Sequence, residues 1–428
     1  MKIFSIERLK KNKYKIIFLG IKLSIGSDFQ YYLTRIYAKN KLLIKFLDLI
    51  FPKDKTKVIF TSYPDFSDSA YLFYEFLKDK KQTKFKKIIW LKDKKTSKHQ
   101  AVNDKTYFIY SLLGIWHLIT AKYIIHDHCN LFLDFLKSGR HVLFNLWHGS
   151  PIKAIGMLDD EVLPKTRKRY NFMAKYSYWF VTSDIYKIII SSTFQINPKK
   201  IYITGIVKTD IIFKSDKDKY IKKCFNLDGF SKTILYAPTY KARGANRVDV
   251  EIDTKNLFCF KEYDRDDFIK YLKENNICLI IKPHPFEEMD FIKFLNRNCY
   301  NQNENIRIIT TNALTTNGIN LNEVFGVTDL IISDFSSITV DYAISKKPIL
   351  YLTNYLQNYQ EGRGFILPDN LKILMPGETV SNYQELKEKA SFCLRNNNAN
   401  YSEKELKLIY KYLDGNSCER IFEIMKNL

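Results

Sequence analysis

The sequence predicts an α/β protein of two Rossmann-like domains facing each other across a cleft. Three observations predict it. From Lys57 onward, short β-branched runs alternate with longer helical stretches, the pattern of parallel-sheet α/β units. The alternation stops in a polar, lysine-rich passage over 214–232 and then restarts. A chain of 428 residues, 46% hydrophobic and 15% aromatic, is long enough for two substantial cores and too apolar for general disorder.

Residues 1–51 stand apart from this pattern. Arg8, Lys10, Lys11, Lys13, Lys15, Lys22, Lys39, Lys41 and Lys45 are interleaved with Ile, Leu, Phe and Tyr, the composition of a basic amphipathic element at an anionic interface. A solvated helix packed on the first domain shows the same stripe. The apolar run 16–26 is interrupted by Lys22 and falls short of the ~20 residues that a spanning helix needs. No small-residue cleavage site follows it, which argues against a secretory leader.

The first domain, 52–225, supplies seven candidate strands: KVIFTSY (57–63), KIIWL (87–91), TYFIY (106–110), KYIIH (122–126), VLFNLW (142–147), YWFVT (178–182) and KIYIT (200–204). With a boundary near 210–230, the second domain, 226–380, supplies TILYA (233–237), ICLIIK (277–282), IRIIT (306–310), DLIIS (329–333) and PILYL (348–352). The tail, 381–428, reads as helices, with Leu406, Ile409, Leu413, Ile421 and Ile424 at helical spacing.

Lys and Arg number 68 against 46 Asp and Glu, a net charge of +22. Such an excess attracts an anionic partner: nucleic acid, an acidic membrane surface or a phosphate-rich substrate. The seven cysteines are scattered, without zinc-type spacing, which fits a reducing cytoplasm. No P-loop and no GxGxxG follows any strand, which argues against a P-loop NTPase and a dinucleotide oxidoreductase, and no DxD is placed after a strand.

Four constellations remain, each at the C-terminal end of a candidate strand, where open α/β sheets bind ligands. After VLFNLW, the loop Trp147-His148-Gly149-Ser150-Pro151-Ile152-Lys153 makes His148 a candidate general base; a turn histidine without a role is the alternative. After TILYA, Pro238-Thr239-Tyr240-Lys241 places a hydroxyl and a cation in a loop, as a plain turn also does. In Lys282-Pro283-His284-Pro285 two prolines make the backbone nearly rigid, which suits His284 to donate to a diphosphate oxygen or to serve as a structural cap. The run Ser333–Asp341 opens a helix at which Ser336 and Ser337 combine hydroxyls, backbone N–H groups and the positive dipole end. Asp341 is placed to meet a substrate hydroxyl; ordinary capping uses the same residue types. Arg363, between two glycines, is either a phosphate clamp or a surface arginine. His126 and His128 alternate on one candidate strand, as a metal pair would, although no third ligand is evident.

In this order and spacing, WHGSPIKAIG, YAPTY, IKPHP, TDLIISDFSSITVDYA and YQEGRG resemble the CDP-glycerol glycerophosphotransferases of bacterial teichoic acid and capsule synthesis, over about Lys57–Pro376. The resemblance implies a GT-B fold and transfer of glycerol phosphate, or a related polyol phosphate, from CDP-glycerol to an acceptor hydroxyl, releasing CMP. The family's functional histidines fall on His148 and His284, its serine-rich donor turn on Ser336 and Ser337, its acid on Asp341 and its late arginine on Arg363. Gly149, Lys153, Thr239 and Lys282 complete the expected substrate-binding set. The implied partners are CDP-glycerol or another CDP-polyol, a lipid-linked or capsular glycan acceptor and the membrane surface, with no nucleic acid. The implied location is cytoplasmic, peripheral on the inner face of the plasma membrane. No cofactor is required, with a magnesium ion at the diphosphate as an option. The second domain is expected to hold the donor and the first to present the acceptor. Against that resemblance the chain is expected to lack the added glycosyltransferase or long acceptor domain of larger polymerases, which leaves priming, polymerising and modifying open. The competing readings are a GT-B glycosyltransferase or epimerase using a nucleotide sugar, and a non-catalytic binder of anionic lipid or nucleic acid; no nucleic-acid module is found to support the latter.

Overall fold

The computed structural model describes residues 4–9, 13–18, 21–25, 41–80, 83–92, 105–128, 136, 139–159, 162, 164–239, 242–243, 247–248, 256–285 and 287–428. At the N-terminus, β1 (Phe4–Leu9), β2 (Lys13–Phe18) and β3 (Ile21–Ile25) form an antiparallel meander. The basic amphipathic stretch is therefore not one element: its first half alternates polar and apolar residues at the period of a strand, and a helix, Lys41–Ile50, follows separately.

The first lobe contains β4 (Asp54–Thr61), β5 (Lys87–Lys92), β6 (Thr106–Phe108), β7 (Ala121–His126), β8 (Val142–Asn145), β9 (Ser177–Val181) and β10 (Ile201–Ile203). They form one parallel sheet in the order β10-β9-β8-β7-β4-β5-β6. In the second lobe, β11 (Lys232–Tyr236) is followed by the short ladder of β12 (Ala242–Arg243) and β13 (Arg247–Val248). Then come β14 (Ile277–Ile281), β15 (Ile306–Ile308), β16 (Leu330–Ser333), β17 (Ile349–Leu352) and β18 (Glu378–Val380), parallel in the order β15-β14-β11-β16-β17-β18. Counted from its own first strand, each sheet has the doubly wound order, with its switch point between β4 and β7 or between β11 and β16. Central strands such as β14 are buried along their whole length, as parallel strands covered on both faces must be.

The tail is not a single unit. Helix Tyr383–Asn396 packs on the second sheet through Leu386, Ala390 and Leu394. Helix Ser417–Asn427 returns to the first, where Phe422 meets Phe76 and Phe85 edge-on and Glu419 pairs with Lys80 at 2.6 Å. The lobes also share a continuous apolar cluster in which Trp147 and Ile152 join Phe335, Tyr359 and Phe365.

Helix Lys41–Ile50 buries Ile44 and packs Leu47 on the core but leaves most of its apolar residues exposed. Its buried side carries Asp48, which pairs with Lys53 at 2.8 Å and His141 Nε2 at 2.6 Å, while Leu42, Leu43, Phe46, Leu49 and Ile50 face outward, Leu42 82% exposed. Among the described residues no helix is long and apolar enough to cross a membrane.

Candidate active site

Parallel pairing puts His126 of β7 opposite Asn145 of β8, so residues 127–128 and 147–148 leave the sheet side by side. Asn145 Oδ1 accepts the Trp147 N–H at 2.9 Å, and Trp147 adopts φ +52°, a conformation that side chains other than glycine rarely take. Packing of its indole against Trp179 and Phe194, both at 5.0 Å, holds that turn. The next residue, His148, lies parallel on His128, with ring centroids 4.3 Å apart and planes within 10°. His148 Nδ1 contacts the Asp127 carbonyl at 3.1 Å. A carbonyl can only accept, so Nδ1 carries the proton and Nε2 keeps its lone pair. Burial, and then the charge of His128, hold the His148 pKa down at about 3, which keeps the ring neutral.

The His148 loop meets the second lobe at Gly149. A Cβ there would lie 3.2 Å from Ser337 Oγ and 3.6 Å from Lys208 Nζ, so glycine permits the approach. Lys208, on the turn Val207–Thr209 after β10, donates to the His148 carbonyl at 2.7 Å and pairs with Asp341 Oδ2 at 2.7 Å. Burial opposes the Lys208 charge, yet Asp341 and Asp68 outweigh it and raise its pKa; burial likewise raises Asp341 against the pull of Lys208. Asp341, expected to meet a substrate hydroxyl, has its carboxylate buried and paired with Lys208 across the lobes. The helix that follows is only Ile338–Ala343, and Ser337 makes no side-chain capping bond. Capping thus leaves its hydroxyl unused.

Beyond Gly149 the first-lobe loop crosses over and pairs with the second lobe. Ala154 N–H donates to Gly364 O at 3.0 Å, Ile366 N–H to Ile152 O at 3.1 Å, and Arg363 Nε to Ala154 O at 2.8 Å. Arg363, expected as a phosphate clamp, therefore directs its Nε at the partner lobe. Lys153 Nζ reaches Thr239 Oγ1 at 3.1 Å, and the Thr239 N–H is fixed by Asp334 Oδ1 at 2.8 Å. Tyr240 and Lys241 lie outside the described residues. Burial, then Lys282 and Lys153, hold the His284 pKa down at about 4, which keeps this ring neutral at neutral pH. Lys282, expected as a substrate contact, has its ammonium beside the His284 turn, held by Glu288 at 2.9 Å, Pro283 O at 2.7 Å and Thr311 Oγ1 at 3.3 Å.

The metal-pair reading of His126 and His128 fails for a local reason. β7 ends at His126, whose Nδ1 turns to the His128 carbonyl at 2.9 Å and whose Nε2 faces Ser177 Oγ at 3.4 Å inside the lobe. Among the described residues, no three His, Cys, Asp or Glu side chains converge as a metal cage. Sequence reasoning missed Lys208 and Asp68 entirely. It noticed His128 only as half of a metal pair with His126, although the place of residues 127–128 at a strand end next to the His148 strand was a usable signal.

The arrangement thus brings the loop that carries a neutral imidazole, its Nε2 available, from one lobe against a serine turn from the other. Residues 43–427 match the family described as CDP-Glycerol:Poly(glycerophosphate) glycerophosphotransferase. The chain is 25% identical over 372 residues to a teichoic acid poly(glycerol phosphate) polymerase of Bacillus spizizenii, covering 81% of this chain and 85% of the relative. It is 25% identical over 331 residues to a teichoic acid glycerol-phosphate primase of Bacillus subtilis, covering 75% and 77%. In fold it is similar to the wall teichoic acid polymerase TagF, with a TM-score of 0.68 at 19% identity over 94% of this chain and 97% of that one.

Proposed function

The chain belongs to the CDP-glycerol:poly(glycerophosphate) glycerophosphotransferase family, and from that premise we propose how its residues move a polyol phosphate, glycerol phosphate foremost, from a CDP-polyol to a teichoic acid or capsular acceptor. The acceptor hydroxyl, presented by the first lobe, attacks the β-phosphorus of the donor held by the second lobe. Its proton passes to His148 Nε2, a P–O bond to the acceptor forms, the β-phosphorus–bridging oxygen bond breaks, and CMP leaves with the electron pair. His284 donates to the diphosphate, Ser336 and Ser337 bind it, and Lys153 with Thr239 lines the same side. Most of the barrier reduction comes from positioning and electrostatics, as phosphoryl transfer requires. The observation that supports this reading is the approach of Gly149 to Ser337, in which the loop after His148 in one lobe meets the turn of Ser336 and Ser337 in the other.

The reaction so drawn requires no cofactor held by the chain, and a magnesium ion carried on the diphosphate is compatible with it. CMP release with and without EDTA distinguishes the two cases. We further propose that the outward leucines and Phe46 of helix Lys41–Ile50 rest on an anionic membrane surface where the acceptor is anchored. Lys45 is exposed beside them, and Arg140 bonds the Leu49 carbonyl at the helix end. The deciding experiment incubates the protein with a panel of CDP-polyols and membrane extract. CMP formed from CDP-glycerol or CDP-ribitol supports the reading, and UDP formed only from a UDP-sugar overturns it.

A further inference from the structure

Asp127 and His128 emerge at the switch point of the first sheet, in the crevice where open α/β sheets receive ligands. Asp127 orients two imidazoles at once: its Oδ1 accepts from His128 Nδ1 at 2.5 Å, and its main-chain carbonyl accepts from His148 Nδ1 at 3.1 Å. Both Nε2 atoms are left for other work. His128 keeps 26% of its side chain exposed, and its Nε2 has no hydrogen-bond partner among the described residues. Asp127 is fully buried, its Oδ2 has no hydrogen-bond partner, and burial pushes its pKa up to about 6 against the opposing pull of His128.

We propose that Asp127 and His128 form a second functional pair of this site, in which His128 Nε2–H is a catalytic donor to a non-bridging oxygen of the phosphoryl group in transit and Asp127 is the residue that positions both rings. The proposal rests on phosphoryl transfer occurring at this site. His128 moves no proton; it contributes a hydrogen bond and a positive charge where negative charge develops, while the adjacent neutral His148 takes the proton of the attacking hydroxyl. The groups facing His128 are Asp127 on its own segment, Asp68 at the start of helix Asp68–Asp79, Lys208 on the turn after β10, and the rings of His148, His126 and Tyr63. Burial opposes its charge, but Asp127 and Asp68 prevail and its pKa is raised. The raised pKa of His128 and the lowered pKa of His148 favour an imidazolium in parallel contact with a neutral imidazole, the protonation states the two roles require.

The test follows CMP release from CDP-glycerol, with membrane extract as acceptor, as a function of pH in the full chain carrying His128→Asn or Asp127→Asn. His128→Asn is expected to lower kcat by about 10²-fold, the usual effect of removing one charge-stabilising donor, with little change in KM for CDP-glycerol and with loss of the alkaline limb of the kcat profile. Asp127→Asn is expected to move that limb to lower pH, because His128 loses its counter-charge. Circular dichroism and calorimetric binding of CDP-glycerol establish that each variant is folded. A folded His128→Asn with wild-type kcat, or an alkaline limb that stays in place in both variants, overturns the proposal. A wild-type protein that releases no CMP from any CDP-polyol overturns the transferase reading instead, so the two failures are distinct.

Discussion

Replacing Lys208 by Met removes the ammonium that ties His148, on the first lobe, to Asp341, on the second. Asp341 is 2% exposed at its side chain, and its Oδ1 already lacks a hydrogen-bond partner. In the variant both oxygens are unpartnered and the carboxylate has no counter-charge. Removing one member of a buried ion pair costs about 3–5 kcal/mol, whereas replacing both by apolar groups of similar size is often neutral or stabilising. Lys208→Met is therefore expected to lose about 3–5 kcal/mol in urea unfolding at neutral pH, and Lys208→Met with Asp341→Leu to recover most of that loss. The pH dependence has a definite sign. Burial raises the Asp341 pKa, and loss of Lys208 raises it further, so the folded variant binds a proton that the unfolded chain releases. The deficit should thus shrink in acid and widen as pH rises. CMP release should stay low in both variants, since neither restores the donor to the His148 carbonyl. A single variant within about 1 kcal/mol of wild type, or a double variant no more stable than the single, refutes this account of the lobe contact.

Ser336→Ala combined with Ser337→Ala removes two hydroxyls proposed to contact the donor; at about 1.5–3 kcal/mol for a hydrogen bond to a charged group, KM for CDP-glycerol should rise by at least about tenfold while circular dichroism is unchanged. Unfolding followed against pH reports the buried histidines. His126 is held down at about 4 by burial, so the unfolded chain takes the proton first, and stability present above pH ~6.5 should fall by on the order of 3 kcal/mol as pH drops through 4; a flat profile over that window contradicts it. Leu42→Asp with Phe46→Asp, on the outward face of helix Lys41–Ile50, should reduce sedimentation with phosphatidylglycerol vesicles by at least about tenfold. Unchanged sedimentation would assign that face to another partner.

Much of the fold is legible because parallel strands buried on both faces are apolar runs punctuated by turns, and every first-lobe strand is marked in this way. β18 escapes because Glu378–Val380 is a three-residue edge strand with no apolar run to betray it. The N-terminal meander escapes because its lysines draw attention to charge and away from the two-residue period. Within the site, the loops at His148, His284 and Ser336 are legible from Gly and Pro placed at strand ends. What local sequence does not reveal is where a charge is directed. Lys282 and Asp341 read as substrate contacts in the sequence, which does not announce their partners Glu288 and Lys208, and nothing in the stretch around Lys208 marks it as a bridge. Asp127 and His128 are visible as a polar pair, but only the end of β7 at His126 shows that the second ring leaves the sheet and stacks on His148.

The most direct measurement is made on His148→Ala, with CDP-glycerol binding determined by calorimetry and CMP release determined in the same preparation. A base that meets the donor only through the acceptor hydroxyl predicts donor affinity close to wild type and a rate lower by about 10²–10⁴-fold. Wild-type turnover in this variant would contradict the role given to His148, and lost donor binding would place that histidine on the nucleotide side of the cleft.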